Sequence, residues 1–278
     1  MGLTLRNYAA LFLLTFIPVF INGCGQSNPA PTETVIFTDS QGRKVTLEEI
    51  NSANGSYKYE VLGGEKIPAE ANLLHQQGRA AGAKGDYAGA IKLFEQATQL
   101  APDWPYPGYD AAFTYLLMND PVNAKKFYKK TVELEPRGYF TAITALDSLE
   151  REEKGEIPQG TYLAYLFIED LKTPEEKLAA AKKILGRVPS FAPTWKEVAV
   201  YSEDVAEQDS AMEKALSLNP DPETKGVLEI NRASHLFKKD PKQAVKTLSE
   251  LILDPKSTYG TQQMAKITLG ILMKEKKN

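Results

Sequence analysis

ANLLHQQGRAAGAKGDYAGAIKLFEQATQLAPDW, residues 71–104, runs directly into PYPGYDAAFTYLLMNDPVNAKKFYKKTVELEPRG, residues 105–138. The two segments have the same length, and their small, aromatic and proline residues recur 34 residues apart. The matched pairs are Ala90 and Ala124, Phe94 and Tyr128, Ala97 and Thr131, and Pro102 and Pro136. Small residues let two helices approach closely, aromatic side chains fill the adjacent gap, and a proline stops the second helix. The repeat therefore predicts two consecutive helical hairpins.

Helix-boundary signals agree with this division. Pro68 is predicted to begin the first helix and Asp86 to cap the second. Pro107 is predicted to begin the third helix. Asp120 followed by Pro121 is the N-cap and first-turn proline arrangement that is typical of a fourth helix.

The pattern resembles the tetratricopeptide repeat (TPR), a 34-residue unit with Trp-x2-Leu-Gly-x2-Tyr, then Ala-x3-Phe, then Pro. The resemblance covers about residues 68–274, with specific motifs in 71–138. It implies an all-α, TPR-like α-solenoid of about five helical hairpins that serves as a scaffold for protein contacts. The alternative is an unrelated helical bundle, in which the 34-residue coincidences would be accidental. The matching positions are Leu74, Gly78, Ala90, Phe94, Ala97 and Pro102 in the first unit, and Tyr115, Ala124, Tyr128 and Pro136 in the second.

Later units carry weaker signals of the same kind. Thr173 to Glu176 has capping-box spacing, Trp195 and Ala199 lie at the Trp and Gly positions of a further unit, and Asp-Pro pairs at 221–222 and 240–241 begin two more helices. An extra helix between Gly138 and Gly160 interrupts the register. The predicted organisation is a signal peptide (1–23), a tether (24–34), a β-containing cap (35–66), two well-matched TPR units (67–138), an inserted helix (139–157), and divergent TPR-like units with a C-terminal helix (158–278).

The amino terminus indicates export. Arg6 precedes an apolar run from Tyr8 to Ile21, which is shorter than a membrane-spanning helix and typical of a secretory signal peptide. Ile21-Asn22-Gly23-Cys24 resembles the lipobox of bacterial lipoproteins. That resemblance implies cleavage before Cys24 and lipid attachment to its sulfur.

Cys24 is the only cysteine, so no disulfide can form within the chain. We therefore predict an exported, membrane-anchored lipoprotein of the bacterial cell envelope, in the outer membrane or periplasm if the cell is Gram-negative. The alternative is an uncleaved N-terminal anchor helix with an unmodified Cys24.

A small β element is predicted before the helices. Residues 35–38, 44–46 and 57–61 have β-type sequences, with a turn at 39–42 and a short helix from Thr46 to about Asn51. Because the ends of a solenoid need covering, this element is expected to cap the first hairpin. Addition of one of its strands to a partner is the alternative.

Groups for catalysis are scarce. His75 and His235 are the only histidines, and each is predicted to be a surface or groove residue. The glycines from Gly78 to Gly89 lack the Gly-Lys-Ser/Thr ending of a phosphate loop. Residues 150–156 are interpreted as a solvated charge run. We therefore predict no enzyme activity, no metal and no cofactor, and the net charge of −3 argues against nucleic-acid binding.

The TPR resemblance implies that five positions of each first helix face a concave groove. In the second unit these are Tyr106, Tyr109, Phe113, Leu116 and Leu117, and in the first they are Asn72, His75, Arg79, Gly82 and Ala83. The predicted partner-binding residues are Tyr106, Tyr109, Phe113, Leu116, His75 and Arg79. Burial of these aromatic residues by the extra helix or the β segment is the alternative.

These features favour a lipid-anchored TPR scaffold or adaptor that binds a protein or peptide partner at the cell envelope. Two alternatives remain. One is an accessory protein that handles envelope polysaccharide, since aromatic rings can stack on sugars. The other is a purely structural envelope lipoprotein.

Overall fold

A computed structural model describes the backbone of residues 35–39, 44–45, 57–61 and 67–275, with side chains for residues 67–273. The chain divides between Glu135 and Pro136 into two compact units. We call the described residues up to 135 the N-terminal unit and residues 136–275 the C-terminal unit. The predicted signal peptide (1–23), the lipidated Cys24 and the tether (24–34) lie outside the described residues.

Three short strands are present where the sequence predicts them: β1 (Val35–Asp39), β2 (Lys44–Val45) and β3 (Tyr57–Val61). They form an antiparallel sheet in the order β2-β1-β3. Phe37 is opposite Val45 on one side and Tyr59 on the other. The predicted helix at 46–51 lies outside the described residues, and the capping role of the sheet stays a prediction.

The remainder of the N-terminal unit is two helical hairpins. The first is α1 (Ala69–Ala83) with α2 (Tyr87–Leu100), and the second is α3 (Pro105–Leu117) with α4 (Pro121–Leu134). Ala90, Phe94 and Ala111 form one buried cluster between them. Gly78 lies so close to Phe94 that an added Cβ would be 2.6 Å from the Phe94 ring. The small and aromatic residues of the repeat thus do the packing that their pattern predicts.

The helix caps of this unit repeat as well. Asp86 accepts a hydrogen bond from the Gly89 amide at 2.9 Å, and Asp120 accepts one from the Asn123 amide at 3.0 Å. The predicted start of α3 at Pro107 is wrong, because α3 begins at Pro105. Amides in the first turn of a helix have no partner within the helix, so a proline fits at the third position as well as the first.

The C-terminal unit contains eight helices among its described residues: α5 (Ala142–Glu153), α6 (Thr161–Leu166), α7 (Pro174–Leu185), α8 (Ala192–Tyr201), α9 (Val205–Ser217), α10 (Pro222–Leu236), α11 (Pro241–Leu253) and α12 (Tyr259–Glu275). The predicted helix starts are confirmed at Thr173, which forms a full capping box, and at Asp221 and Asp240. The predicted extra helix is α5. The short α6 was not expected. The all-α, TPR-like solenoid class is confirmed.

Helices of the C-terminal unit pack mainly on their neighbours in sequence, with α8 against α7 and α9, and α11 against α10 and α12. The helix α5 departs from this pattern, since it packs on α10 as well as on α6. Trp195 of α8 is partly exposed and donates its indole N–H to the Pro189 carbonyl at 2.9 Å, while Ala199 is buried.

A network of charged and phenolic side chains lies inside the C-terminal unit. The Tyr165 hydroxyl donates to Glu197 Oε1 at 2.8 Å, and Lys196 Nζ contacts both groups. Lys177 Nζ lies 3.3 Å from Glu169 and 3.5 Å from the Tyr201 hydroxyl. Burial alone would lower the pKa of Lys196, but the charges of Glu197 and Glu169 raise it above its usual range. Lys196 therefore stays protonated.

One part of the predicted solvated charge run is wrong. Glu152 is buried, and its carboxylate accepts hydrogen bonds from the Gly160 amide at 3.0 Å and the Tyr162 amide at 2.7 Å. These amides lie at the start of α6, where backbone donors have no helical partner. Glu152 therefore satisfies the first turn of α6.

Among the described residues, no helix combines the length and the apolar composition that crossing a bilayer requires.

Candidate partner-binding site

The first helices of the two hairpins, α1 and α3, contact each other through residues that the sequence assigned to a groove. His75 Nε2 lies 2.8 Å from Asp110 Oδ2 across the two helices. The His75 ring is stacked among Tyr106, Trp104 and Phe94, with centroid distances of 4.3, 4.9 and 5.6 Å. His75 is only 3% exposed, so the prediction of a surface or groove histidine is wrong. It is a core residue that fixes α1 against α3.

Arg79 lies one turn after His75 on α1 and reaches the same place. Its Nη1 donates to the Tyr106 hydroxyl at 3.0 Å, and its Nε lies 3.6 Å from Asp110 Oδ2. The guanidinium carbon is also 5.6 Å from the centre of the Tyr106 ring. Because 41% of the Arg79 side chain is exposed, the cation is held in place and remains open to solvent.

Tyr106 is the support beneath Arg79. Its side chain is buried, and burial, followed by the nearby charge of Asp110, raises the pKa of its phenol to about 12. The phenol therefore remains neutral at any physiological pH. A neutral hydroxyl that accepts from Arg79 orients the guanidinium without cancelling its charge.

The predicted aromatic face is only partly exposed. Tyr106, Tyr109 and Leu116 are all buried, and Tyr109 packs edge-on against Tyr128 with ring centroids 5.6 Å apart. Phe113, in contrast, is 38% exposed. The structure thus leaves Arg79 and Phe113 accessible and places the other four predicted residues inside. Whether any of the six contacts a partner stays a prediction.

Two residues at this place were missed by the sequence reading. Asp110 holds both His75 and Arg79, and Trp104 packs edge-on against His75. Asp110 lies four residues after Tyr106, on the same side of α3, so helical spacing could have identified it. Trp104 ends the first repeat and lies outside the five groove positions, so it carried no such signal.

Groups for metal binding or acid–base chemistry do not converge elsewhere in the part of the chain that the structure describes. No set of three His, Cys, Asp or Glu side chains within it is arranged to hold a metal ion. His235, in the C-terminal unit, pairs with Asp209 at 2.7 Å near the surface. The absence of enzyme activity stays a prediction.

Comparison with known proteins identifies one repeat directly. The model of the tetratricopeptide repeat family matches residues 71–104, the same 34 residues as the first unit of the sequence analysis. No curated protein matches the chain.

Two solved structures of similar fold are residues 41 to the end of MamA from Desulfovibrio magneticus RS-1, and TTC0263, a TPR protein of Thermus thermophilus. The first is 16% identical, covers 66% of this chain and 94% of its own, and has a TM-score of 0.33. The second is 20% identical, covers 72% of this chain and 98% of its own, and has a TM-score of 0.30. The matched repeat and the helical hairpins built on it identify this chain as a tetratricopeptide repeat protein.

Proposed function

We propose that this protein is a lipid-anchored TPR scaffold that captures a protein or peptide partner at the bacterial cell envelope. The observation that carries the proposal is the pair of accessible side chains, Arg79 and Phe113, on the adjoining helices α1 and α3. Arginine and aromatic residues are enriched among the residues that dominate binding energy at protein interfaces.

The surroundings of Arg79 suit this role. A flexible arginine loses side-chain entropy when it binds, and that loss weakens the complex. Here Tyr106 and Asp110 already restrict the guanidinium, so less freedom remains to be lost. Phe113 lies seven residues after Tyr106, about 10 Å along α3. The pair offers a cation and an aromatic ring, which fits a partner segment that has an acidic residue and an apolar residue.

Substitution of Phe113 tests the binding site. We expect Phe113→Ala in the full-length protein to reduce partner capture, measured by cross-linking in isolated envelope membranes, by about tenfold, in line with the loss of one interface anchor. The melting temperature should change little because the ring is partly exposed. Val122→Ala is the matched control, since Val122 is 74% exposed on α4 and belongs to no predicted groove position. A large loss of melting temperature, or equal loss of capture in the control, would contradict the proposal.

Anchoring rests on the sequence around Cys24, where an export signal ends at a lipobox-like segment. Two or more acyl chains would hold the protein on a membrane, since each buried methylene contributes about 0.8 kcal/mol. Metabolic labelling with a palmitate analogue should label the wild type and not Cys24→Ser. Labelling that persists in the variant would refute lipid attachment at this residue and leave the TPR binding site untouched.

A further inference from the structure

The start of α5 is joined to the start of α10 by three oxygen-bearing side chains. The Thr144 hydroxyl oxygen lies 2.7 Å from Asp221 Oδ1 and 2.9 Å from Glu223 Oε2. Glu223 also accepts hydrogen bonds from the Thr144 amide at 2.9 Å and from the Ile143 amide at 3.4 Å. Asp221 caps α10 through the amides of Glu223 and Thr224.

The hydrogen-bond count at this joint requires an extra proton. A threonine hydroxyl has one hydrogen to donate, so it can serve only one of the two carboxylates. The second contact is a hydrogen bond only if the other carboxyl is protonated and donates to a lone pair of the Thr144 oxygen. Three oxygens at these distances therefore need two protons, one from Thr144 and one from an acid.

Glu223 is the acid that holds this proton. Asp221 Oδ1 already accepts from two backbone amides, which is the role of an ionised N-cap, and Asp221 Oδ2 has no hydrogen-bond partner among the described residues. Burial, together with the nearby charge of Asp221, raises the pKa of Glu223 to about 8. Glu223 is half-buried, so its carboxyl can still exchange a proton with water.

No cation offsets this charge. Among the described residues, no Lys or Arg forms an ion pair with Asp221 or Glu223. On α5, Asp147 feels the charge of Asp221, and burial followed by that charge raises the pKa of Asp147. On α6, the pKa of Tyr165 is also raised, mainly by burial and by Glu197.

The other helices that pack on α10 turn their charges elsewhere. Lys196 and Glu197 of α8 contact each other and Tyr165, and Asp209 of α9 pairs with His235. Beside the joint, Arg137 directs its guanidinium to the Ser257 carbonyl and lies 4.3 Å over the Tyr259 ring.

A metal ion does not suit the same place. The amides of Ile143 and Thr144 direct their hydrogens at the Glu223 carboxyl, and the N-terminus of a helix is the positive end of its dipole. A bound cation would be repelled by both, whereas a single proton on Glu223 is compatible with them.

We propose that Thr144, Asp221 and Glu223 form a proton-operated latch, in which one proton shared among their oxygens fastens the first turn of α5 to the start of α10, and its loss releases that turn. When Glu223 gives its proton to water, two carboxylates face one hydroxyl in a confined space. One of the two contacts to Thr144 is then lost, and the charges repel each other.

The segment that the latch controls is short and well defined. Residues 137–144 are also held at their other end, where the Arg137 carbonyl accepts from the Tyr259 amide at 2.8 Å. Gly138 lies close to both Glu223 and Thr258, and an added Cβ would be 3.2 Å from Glu223 Oε1. Release should therefore loosen the first turn of α5 and leave the Arg137 contact in place.

The test is the pH dependence of stability. A carboxyl whose pKa is raised on folding binds its proton in the folded state and loses it in the unfolded state between the ordinary glutamate pKa of 4.5 and about 8. Its contribution to stability is therefore greatest at the acidic end of this window and is lost as the pH rises. We expect the melting temperature of the wild type to fall by about 5 °C or more from pH 5 to pH 8.5, relative to Glu223→Gln. Glu223→Gln has no proton to lose and should lack this fall.

Glu229→Gln is the control on the same helix, since Glu229 pairs with Lys225 at the surface, and it should keep the wild-type pH profile. Should Glu223→Gln fail to fold, hydrogen exchange of the wild type decides the matter. The protection factors of the Ile143 and Thr144 amides should drop between pH 5 and pH 8.5, while that of the Tyr259 amide stays constant. A wild-type profile parallel to that of Glu223→Gln, or protection that does not change with pH, would overturn the latch.

Discussion

In the N-terminal unit the helices meet through alanine, glycine and aromatic side chains, whereas in the C-terminal unit several helices meet through buried acids, lysines and tyrosines. Phe94 against Gly78 is typical of the first, and Lys196 against Glu197 and Tyr165 of the second. Apolar contacts tolerate small shifts, but a buried charge requires its partner at a defined distance. The two units should therefore respond differently to substitution.

The largest effect is expected from removing one charge of the buried network. Lys196→Met leaves Glu197, which is 1% exposed, without its cation, and should reduce the free energy of unfolding by about 3–5 kcal/mol, measured by urea denaturation. Lys129→Met is the control in the N-terminal unit, where the lysine is exposed, and should change stability by less than about 0.5 kcal/mol.

The double variant Lys196→Met/Glu197→Leu separates a lost attraction from an abandoned charge. Because an apolar pair leaves no buried charge, it should recover a large part of the loss. A double variant no more stable than Lys196→Met would show that the network contributes more than mutual neutralisation.

A smaller effect is expected at the glycines of α1. Gly78→Ala places a Cβ against the buried Phe94 ring and should destabilise the protein by about 1–3 kcal/mol through overpacking. At Gly82 the added Cβ would be 3.7 Å from the Ala90 Cβ, an ordinary contact, so Gly82→Ala should stabilise by up to about 1 kcal/mol through helix propensity. Urea midpoints that shift in the same direction for both variants would contradict the close approach at Gly78.

How far the sequence could predict each unit follows from the distance between interacting residues. The caps at Asp86 and Asp120 bind amides three residues ahead, and the small and aromatic positions recur at a fixed period, so local pattern was sufficient. In the C-terminal unit, Tyr165 binds Glu197 across 32 residues and Thr144 binds Glu223 across 79. No periodicity encodes such pairs, so the buried acids were not distinguished from surface ones.

The candidate site shows the same limit at smaller scale. Spacing correctly placed His75, Arg79 and Tyr106 together, since they contact each other across α1 and α3. It could not say which of them would be covered. Exposure at Arg79 and Phe113 depends on how neighbouring elements pack, and a single helical face does not contain that information.

The smallest effect tests what the two units share. Asp120 and Asp240 each precede a proline and each accept from the amide three residues ahead at 3.0 Å. Asp120→Ala and Asp240→Ala should each cost about 1 kcal/mol, the usual contribution of an N-cap. Hydrogen bonds from the Asn123 amide and side chain lower the pKa of Asp120, so its contribution is present above the ordinary aspartate pKa of 3.8 and is lost as the pH falls below it. Thermal unfolding at pH 7 and pH 3 should show the Asp120→Ala difference only at the higher pH.

The positions of the two tryptophans have a practical consequence. Trp104 is 3% exposed in the N-terminal unit, and Trp195 is partly exposed in the C-terminal unit. A shielded indole fluoresces at shorter wavelength than a hydrated one, so the native emission spectrum contains one signal from each unit. Replacing either indole by phenylalanine would leave a single optical reporter. Unfolding of each half of the molecule could then be recorded separately, without any attached dye.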